Sequence, residues 1–248
     1  MSARFLLSLS FIFSLSSFIS PALLPALRAE HTVFIGAPGS TASASDLSNA
    51  FRQLPSGGVI ILRGPVHAGA NFSATPHAAR VTLTSLHNGT DYRPAGARLL
   101  LGDSFVLGGP AFFDNITLAA ASDSSRVFCA GQPAVFGPGV ACLPAPNGKF
   151  PSLVAAARDG NLSNLAVLGG EWHSLLGGSS GSSAGNLSVT IRGGRFHGPV
   201  CAAGSGPHKG NATLAIHGGE FLGGVAVLPD TPAAALNGAA SVTLNNGV

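Results

Sequence analysis

The amino-acid sequence predicts an all-β fold: a right-handed parallel β-helix (solenoid) with a short N-terminal capping helix. Three observations lead there. A short pattern recurs at fixed spacing in the C-terminal third, apolar residues alternate within each copy, and the chain is rich in glycine and poor in charge.

The repeat aligns on double glycines. Gly160 to Trp172, Gly185 to Phe196 and Gly210 to Phe221 each open with Gly-Asn. Each then closes on Gly-Gly, a charged residue and an aromatic. The leading Asn161, Asn186 and Asn211 recur every 25 residues, and a fourth copy opens at Ser241-Val-Thr-Leu, so clear repeats occupy 160–248. A period in the twenties means stacked supersecondary units, and alternation with period two inside each unit means strand. Leu165 and Val167, Val189 and Ile191, Leu214 and Ile216 point inward on this reading. Leu176, Val200 and Val225 take equivalent places in the next strand. The Leu-x-x-Leu-x-Leu spacing of leucine-rich repeats is missing.

Stacking puts like residues in columns. Trp172, Phe196 and Phe221 form an aromatic column expected to face the core, because aromatics in β structure are usually buried. Glu171, Arg195 and Glu220 form an acid–base–acid ladder beside it, and the asparagines form a third column. His173 and His197 take the same slot after the aromatic and read as a solvent-facing pair. No His-x-x-x-His or His/Cys cluster gives zinc spacing, so no metal and no cofactor is expected. The Gly177–Gly185 stretch lacks the Lys-Ser/Thr of a phosphate loop and reads as a flexible connection between coils.

Upstream the pattern blurs but persists. Residues 45–54 carry a capping Ser/Asp and apolar residues at helical spacing. Pro55-Ser-Gly-Gly58 ends that helix, which suits the covered end that a solenoid needs. Residues 59–62, 81–84, 98–101, 112–118 and 134–136 read as strands. Residues 30–248 thus form a single β-helix domain of roughly eight coils.

Residues 1–29 read as a secretory signal peptide: Arg4, an apolar run from Phe5 to Leu24, then Pro21, Pro25 and a small residue, Ala29. Retention as an uncleaved anchor is the alternative. No second apolar stretch of spanning length follows, so no membrane span is expected after signal removal. The 13 Lys and Arg residues are scattered singly, which leaves no electrostatic footprint for nucleic acid. Six Asn-x-Ser/Thr sequons, at Asn71, Asn88, Asn115, Asn161, Asn186 and Asn211, are glycan acceptors if the pathway is a eukaryotic secretory one. Cys129 and Cys142 bracket a Gly/Pro-rich loop and are the candidate disulfide, with Cys201 left over. Three buried free thiols are the other reading.

Leu47 to Val66, with its helix, Pro-Ser-Gly-Gly and Val-Ile-Ile-Leu-Arg-Gly-Pro, resembles the opening of the pectin-lyase-like right-handed β-helices. Phe113-Asp-Asn-Ile-Thr-Leu118, Val127 to Val140 and the Gly-Gly-Glu/Arg-Phe repeats are similar to large cell-surface members. The resemblance covers most of 45–248 and specifies the coil, not a chemistry. It implies polysaccharide as substrate or ligand, with clustered aspartates in the hydrolases and calcium-binding aspartates plus a basic residue in the lyases. Here no Asp-x-Asp or Asp-Asp occurs, so no catalytic residue is expected. The binding candidates are Trp172, His173, His197, Glu171, Arg195 and Glu220.

The expected function is a secreted, non-enzymatic β-helix with a cell-surface, matrix or carbohydrate-binding role, its partners polysaccharides or other surface glycans. One alternative is a polysaccharide lyase or glycoside hydrolase with its site in the divergent middle, 85–160, among Asp91, Asp103, Asp114, Asp123, Asp159, Arg93, Arg98 and Arg126. Another is a fragment of a larger surface protein. End-to-end association through an uncapped C-terminal coil is the partner expectation that goes with the open stack.

Overall fold

A computed structural model describes residues 31–155, 163–181 and 185–245. The segment 1–29 that the sequence marks as a signal peptide, Asn161, Asp159, residues 182–184 of the glycine-rich stretch and the last three residues lie outside them.

The chain is a parallel β-solenoid of about eight turns. Its main sheet has nine strands in coil order, from Thr32–Ile35 through Gly58–Leu62, Val81–Thr84, Ala111–Phe113, Ala134–Phe136, Ser163–Val167, Leu187–Ile191 and Ala212–Ile216 to Ala240–Leu244. A second sheet of seven runs from Asn71–Ser73 to Val225–Ala226. The third side carries Pro65–His67, Arg98–Leu101, Ile116–Ala120 and Val140–Leu143, and beyond them Glu171–Trp172, Arg195–Phe196 and Glu220–Phe221. Among the described strands pairing is parallel, save one hairpin, Leu86–His87 with Thr90–Asp91; an isolated antiparallel bridge joins Ala37 and Ser40. Parallel pairing between successive coils is what a coiling chain of this kind must adopt, since each strand meets its equivalent one turn on.

The alternation predicted the core. Leu165, Val167, Val189, Ile191, Leu214 and Ile216 are buried. An aromatic spine runs up the interior: Phe51 to Phe72, Phe105, Phe113, Phe136 and Trp172, with successive ring centroids 4.8–6.4 Å apart. The helix Ala44–Arg52 joins its lower end through Leu47, Ala50 and Phe51. Its cap is Ser43, two residues before the predicted Ser45. The Asp46 N–H donates to Ser43 Oγ and the Ser43 N–H to the Asp46 carboxylate, a reciprocal capping box. In the last described coil Phe221, Val225, Leu236 and Val242 are only half-buried.

Three expectations about register need correction. The predicted strand 112–118 is two strands, broken at Asp114-Asn115, where Asn115 adopts a left-handed φ of 47° and turns the chain from one face to the next. Paired positions Leu165, Val189, Leu214 and Val242 lie 24, 25 and 28 residues apart, so the 25-residue asparagine spacing is not the pairing period. Ser163 pairs with Leu187, the register in which Leu165 meets Val189. Leu175, not Leu176, is the equivalent of Val200 and Val225, because two residues separate Trp172 from its follower and three separate Phe196 from its own. Corner length varies while strand length is held, since only the strands must match across coils. Gly177 and Gly178 stack within contact of Ala202 to Gly204, so this part of the predicted flexible connection belongs to the coil.

The Gly-Gly corners divide the work. The second glycine takes the left-handed region, φ +92° at Gly170, +99° at Gly194 and +117° at Gly219, which side-chain-bearing residues avoid. The first lies against the coil beneath: a Cβ on Gly193 would sit 2.4 Å from the Leu168 carbonyl oxygen. Gly193→Ala is therefore expected to cost about 1–3 kcal/mol, the range for overpacking a tight interior. Urea unfolding of the two proteins measures it, and an unchanged midpoint would mean the coils relax apart at no cost.

Candidate functional site

The stacked coils bring five of the six binding candidates to one outer corner. Strand pairing places Glu171 opposite Arg195 and Arg195 opposite Glu220, and Trp172 opposite Phe196 and Phe196 opposite Phe221. Side chains alternate across a strand, so the charged column faces out while the aromatic column faces in. Trp172 and Phe196 are fully buried and the Phe196 and Phe221 rings stack at 5.2 Å. Trp172 is a core residue: its indole N–H donates to the Gly169 carbonyl, and its ring meets Phe136 edge-on. It is not available to a ligand.

The ladder itself is asymmetric. Arg195 Nε lies 3.3 Å from the Glu220 carboxylate, whereas Glu171 turns away and binds His197, Oε1 to Nε2 at 2.7 Å. The His197 N–H donates to the Trp172 carbonyl and the next N–H, that of Gly198, to the His173 carbonyl. The register of Trp172 with Phe196 thus continues one residue further, so His173 and His197 share one slot, as the alignment predicts. The extra residue of the second coil falls after them, at Gly198-Pro199, before Leu175 meets Val200. His197 also lies flat on Phe150, with ring centroids 4.8 Å apart and planes 7° apart.

Phe150 and Lys149 were missed by sequence reasoning. They close a turn, Ala145 to Lys149, held by the Ala145 N–H to the Lys149 carbonyl. No repeat signal marks them; only the lone Asn-Gly-Lys-Phe at the end of a Pro-rich stretch sets them apart. Together the corner offers a half-exposed aromatic ring, two carboxylates, two cations and two imidazoles. Beside it a shallow hollow of about 400 Å³ lies between Val140, Cys142, Gly170, Glu171, Gly194 and Arg195. Glu171 and Arg195 stand in its lining.

Partial burial, and then Coulombic repulsion from the Lys149 and His197 side chains, hold the His173 imidazole below its ordinary value. The neutral form is favoured in the folded chain, so the folded state binds fewer protons than the unfolded one near pH 6. The stability this contributes is complete above about 6.5 and is lost as pH falls through the folded value.

In the divergent middle the acids are tied into turns. The Arg93 guanidinium binds the Asp91 carboxylate at 2.7 Å and holds it below the usual carboxylate range. A second guanidinium N–H donates to the Gly139 carbonyl. The Gly139 N–H donates to Asp114, as does the Asn115 side-chain amide. Asp103 accepts from the Ser122 hydroxyl at 2.6 Å. Of the other ionisable residues named there, Asp123, Arg98 and Arg126 are exposed, and Asp159 lies outside the described residues. Among the described residues no group of three His, Cys, Asp or Glu is placed to hold a metal. No helix among them is long and apolar enough to cross a membrane.

The three cysteines are free thiols, and the expected Cys129–Cys142 bridge is not formed. The reason is topological: Cys142 belongs to Val140–Leu143 on the third side, and Cys129 follows Arg126–Phe128 in the seven-stranded sheet. Both are buried, which pushes each thiol up to about 12. Of the sequons, Asn71, Asn88, Asn186 and Asn211 are exposed, Asn115 is half-buried and Asn161 lies outside the described residues.

The chain matches no family model, no curated protein and no solved structure.

Two outcomes test this geometry. A thiol-specific disulfide reagent at pH 8 is expected to react with none of the cysteines in the folded protein and with three in denaturant; one reactive thiol in denaturant would restore the bridge. The urea midpoint is expected to fall between pH 7.5 and 5.5, and His173→Gln to fall less. An equal fall in both proteins removes His173 as a contributor.

Proposed function

We propose that this is a secreted, non-catalytic, right-handed β-helix of the pectin-lyase-like kind, a glycoprotein that binds neutral or weakly charged carbohydrate at the Phe150–Glu171–His197 corner. The observation that carries the reading is the Phe150 ring held parallel to His197, with His197 held in turn by Glu171 at 2.7 Å. A half-exposed flat ring accepts the C–H face of a sugar, and carboxylates and guanidinium beside it serve the hydroxyls. Binding sites combine apolar surface with a few placed polar groups in this way. Mutual contacts among Phe150, His197 and Glu171 pre-organise the corner, which lowers the ordering cost of binding. The paired Arg195 and Glu220 leave the corner with no excess of either sign, so a polyanionic chain has no cationic track to follow. Secretion rests on the leader at 1–29 and the sequons.

A second reading, a polysaccharide lyase or hydrolase, draws on the same pair, since an imidazole oriented by a carboxylate is how a general base is held. A glycan array probed with the pure protein separates them from each other and from no binding. Binding of a defined glycan class, weakened about tenfold or more in Phe150→Ala and in Glu171→Gln at unchanged melting temperature, supports the proposal. Loss of about 1.4 kcal/mol corresponds to that factor. New reducing or unsaturated ends released from bound glycan would move the assignment to the enzyme. No binding, or binding indifferent to both substitutions, would remove the corner from consideration.

A further inference from the structure

The sequons are not equivalent, and the difference lies in what each asparagine side chain is already doing. We infer that Asn71, Asn88, Asn186 and Asn211 are N-glycan acceptors in this protein, while Asn115 is a structural asparagine closed to the modification. The inference rests on the secretory reading above.

N-glycosylation is a group transfer at one atom. The asparagine Nδ2 attacks the anomeric carbon of a polyprenyl-pyrophosphate-linked oligosaccharide and an N–C bond forms. The C–O bond to the pyrophosphate breaks, Nδ2 loses one proton, and the lipid pyrophosphate leaves. The side-chain carbonyl Oδ1 is untouched. A sequon is compatible with the folded coil when Nδ2 is at the solvent surface, whatever Oδ1 is bonded to, and incompatible when Nδ2 donates inside a packed turn.

Asn186 and Asn211 meet the first condition. Asn186 Oδ1 accepts the backbone N–H of Asn211 at 3.0 Å, and Asn211 Oδ1 accepts that of Ala239 at 3.0 Å. Each carbonyl ties one coil to the next, and each residue is exposed. The modification keeps those carbonyls, so the ladder and a glycan coexist. Sequon spacing helps, since in extended chain Asn186 and Ser188, and Asn211 and Thr213, project to the same side. Asn88 stands at the tip of the 86–91 hairpin, with φ 49° before Gly89 at φ 78°, the two left-handed residues that a tight hairpin turn requires. Its Nδ2 lies 3.1 Å from the neighbouring His87 Nε2, a contact at the exposed tip with no further group packed on it that a glycan would displace, and Thr90 two residues on is exposed. Asn71 and Ser73 are exposed at the two ends of one three-residue strand, with Phe72 between them buried.

Asn115 is the opposite case. It is half-buried, and its Nδ2 donates to Asp114 Oδ2 at 3.2 Å. Its backbone carbonyl takes the Ser85 N–H, and its side-chain oxygen lies so near Gly139 that a Cβ there would come within 2.7 Å of it. Asp114 in turn takes the Gly139 N–H, and Arg93 the Gly139 carbonyl. A glycan on this Nδ2 would enter the crowded turn that joins the Arg93 segment to the coil above.

The test is a site map of the full chain secreted from cultured eukaryotic cells. N-glycans are released enzymatically in heavy-oxygen water, which converts each occupied asparagine to a mass-labelled aspartate, and the peptides are read by mass spectrometry. Label is expected at 71, 88, 186 and 211 and none at 115. Label at 115, or its absence from any of the other four, overturns the inference. A parallel chain, with a leader of proven function replacing residues 1–29, separates this from the secretory reading. If only that chain is labelled, in the expected pattern, the native leader fails and the partition stands. If that chain too is secreted bare, the partition falls. As a second readout, Asn88→Gln is expected to lose one glycan's mass at unchanged melting temperature. Asn115→Gln is expected to keep every glycan and melt lower; glycan loss in Asn115→Gln counts against the inference.

Discussion

Everything in this molecule depends on one constraint: each strand must hydrogen-bond its equivalent one coil away, at the ~4.8 Å that separates neighbouring strands. That spacing is too short for most side chains to choose their neighbours. A residue on a strand meets the residue above and below it, so the fold works as a set of columns. Inside, the columns are aliphatic rows and the aromatic spine from Phe51 to Trp172. At the corners they are glycines, because a Cβ on the first glycine of a pair would strike the carbonyl beneath, as Gly193 shows against Leu168.

The strands are held to this rule, and the corners are not. Between Trp172 and Leu175 there are two residues; between Phe196 and Val200 there are three. That one extra residue falls at Gly198-Pro199, after the paired stretch that ends on His197. On the outer face Glu171 finds the His197 imidazole, the imidazole finds Phe150, and Arg195 is left to Glu220. An exposed ion pair such as Arg195–Glu220 contributes little to stability. What the arrangement supplies is a surface with fixed geometry, on a scaffold whose core does not need it.

The divergent middle follows a similar logic on a larger insertion. The hairpin at 86–91 leaves the coil and is tied back by Arg93, which holds Asp91 on one side and the Gly139 carbonyl on the other. Acidic residues that look unassigned along the chain turn out to be hydrogen-bond acceptors for turns: Asp46 caps the helix, Asp103 takes Ser122, and Asp114 takes Gly139. Backbone donors at turns need such partners, and three of the eight described acids, Asp46, Asp91 and Asp114, accept one.

How much was legible in the sequence follows from which interactions are local. Alternation named the inward residues Leu165 to Ile216 correctly, because period two is a property of the strand alone. It also named the columns: Trp172 over Phe196 over Phe221, and Glu171 beside Arg195 beside Glu220. The helix and the glycine corners were legible for the same reason. Those columns are the observed register, Leu165 with Val189 with Leu214. Coil length was less legible: the asparagines recur every 25, while pairing runs 24, 25 and 28, since corner residues can be added without disturbing the strands. The long-range contacts at the corner were not legible. Phe150 reaches His197 across 47 positions, and Glu171 reaches His197 across 26. The separation of Cys129 from Cys142 onto different sheets depends on where the coil turns. The sequence by itself determined that the chain would coil and what would face inward; the tertiary structure alone decided which outward side chains meet, because that depends on corner lengths summed over several coils.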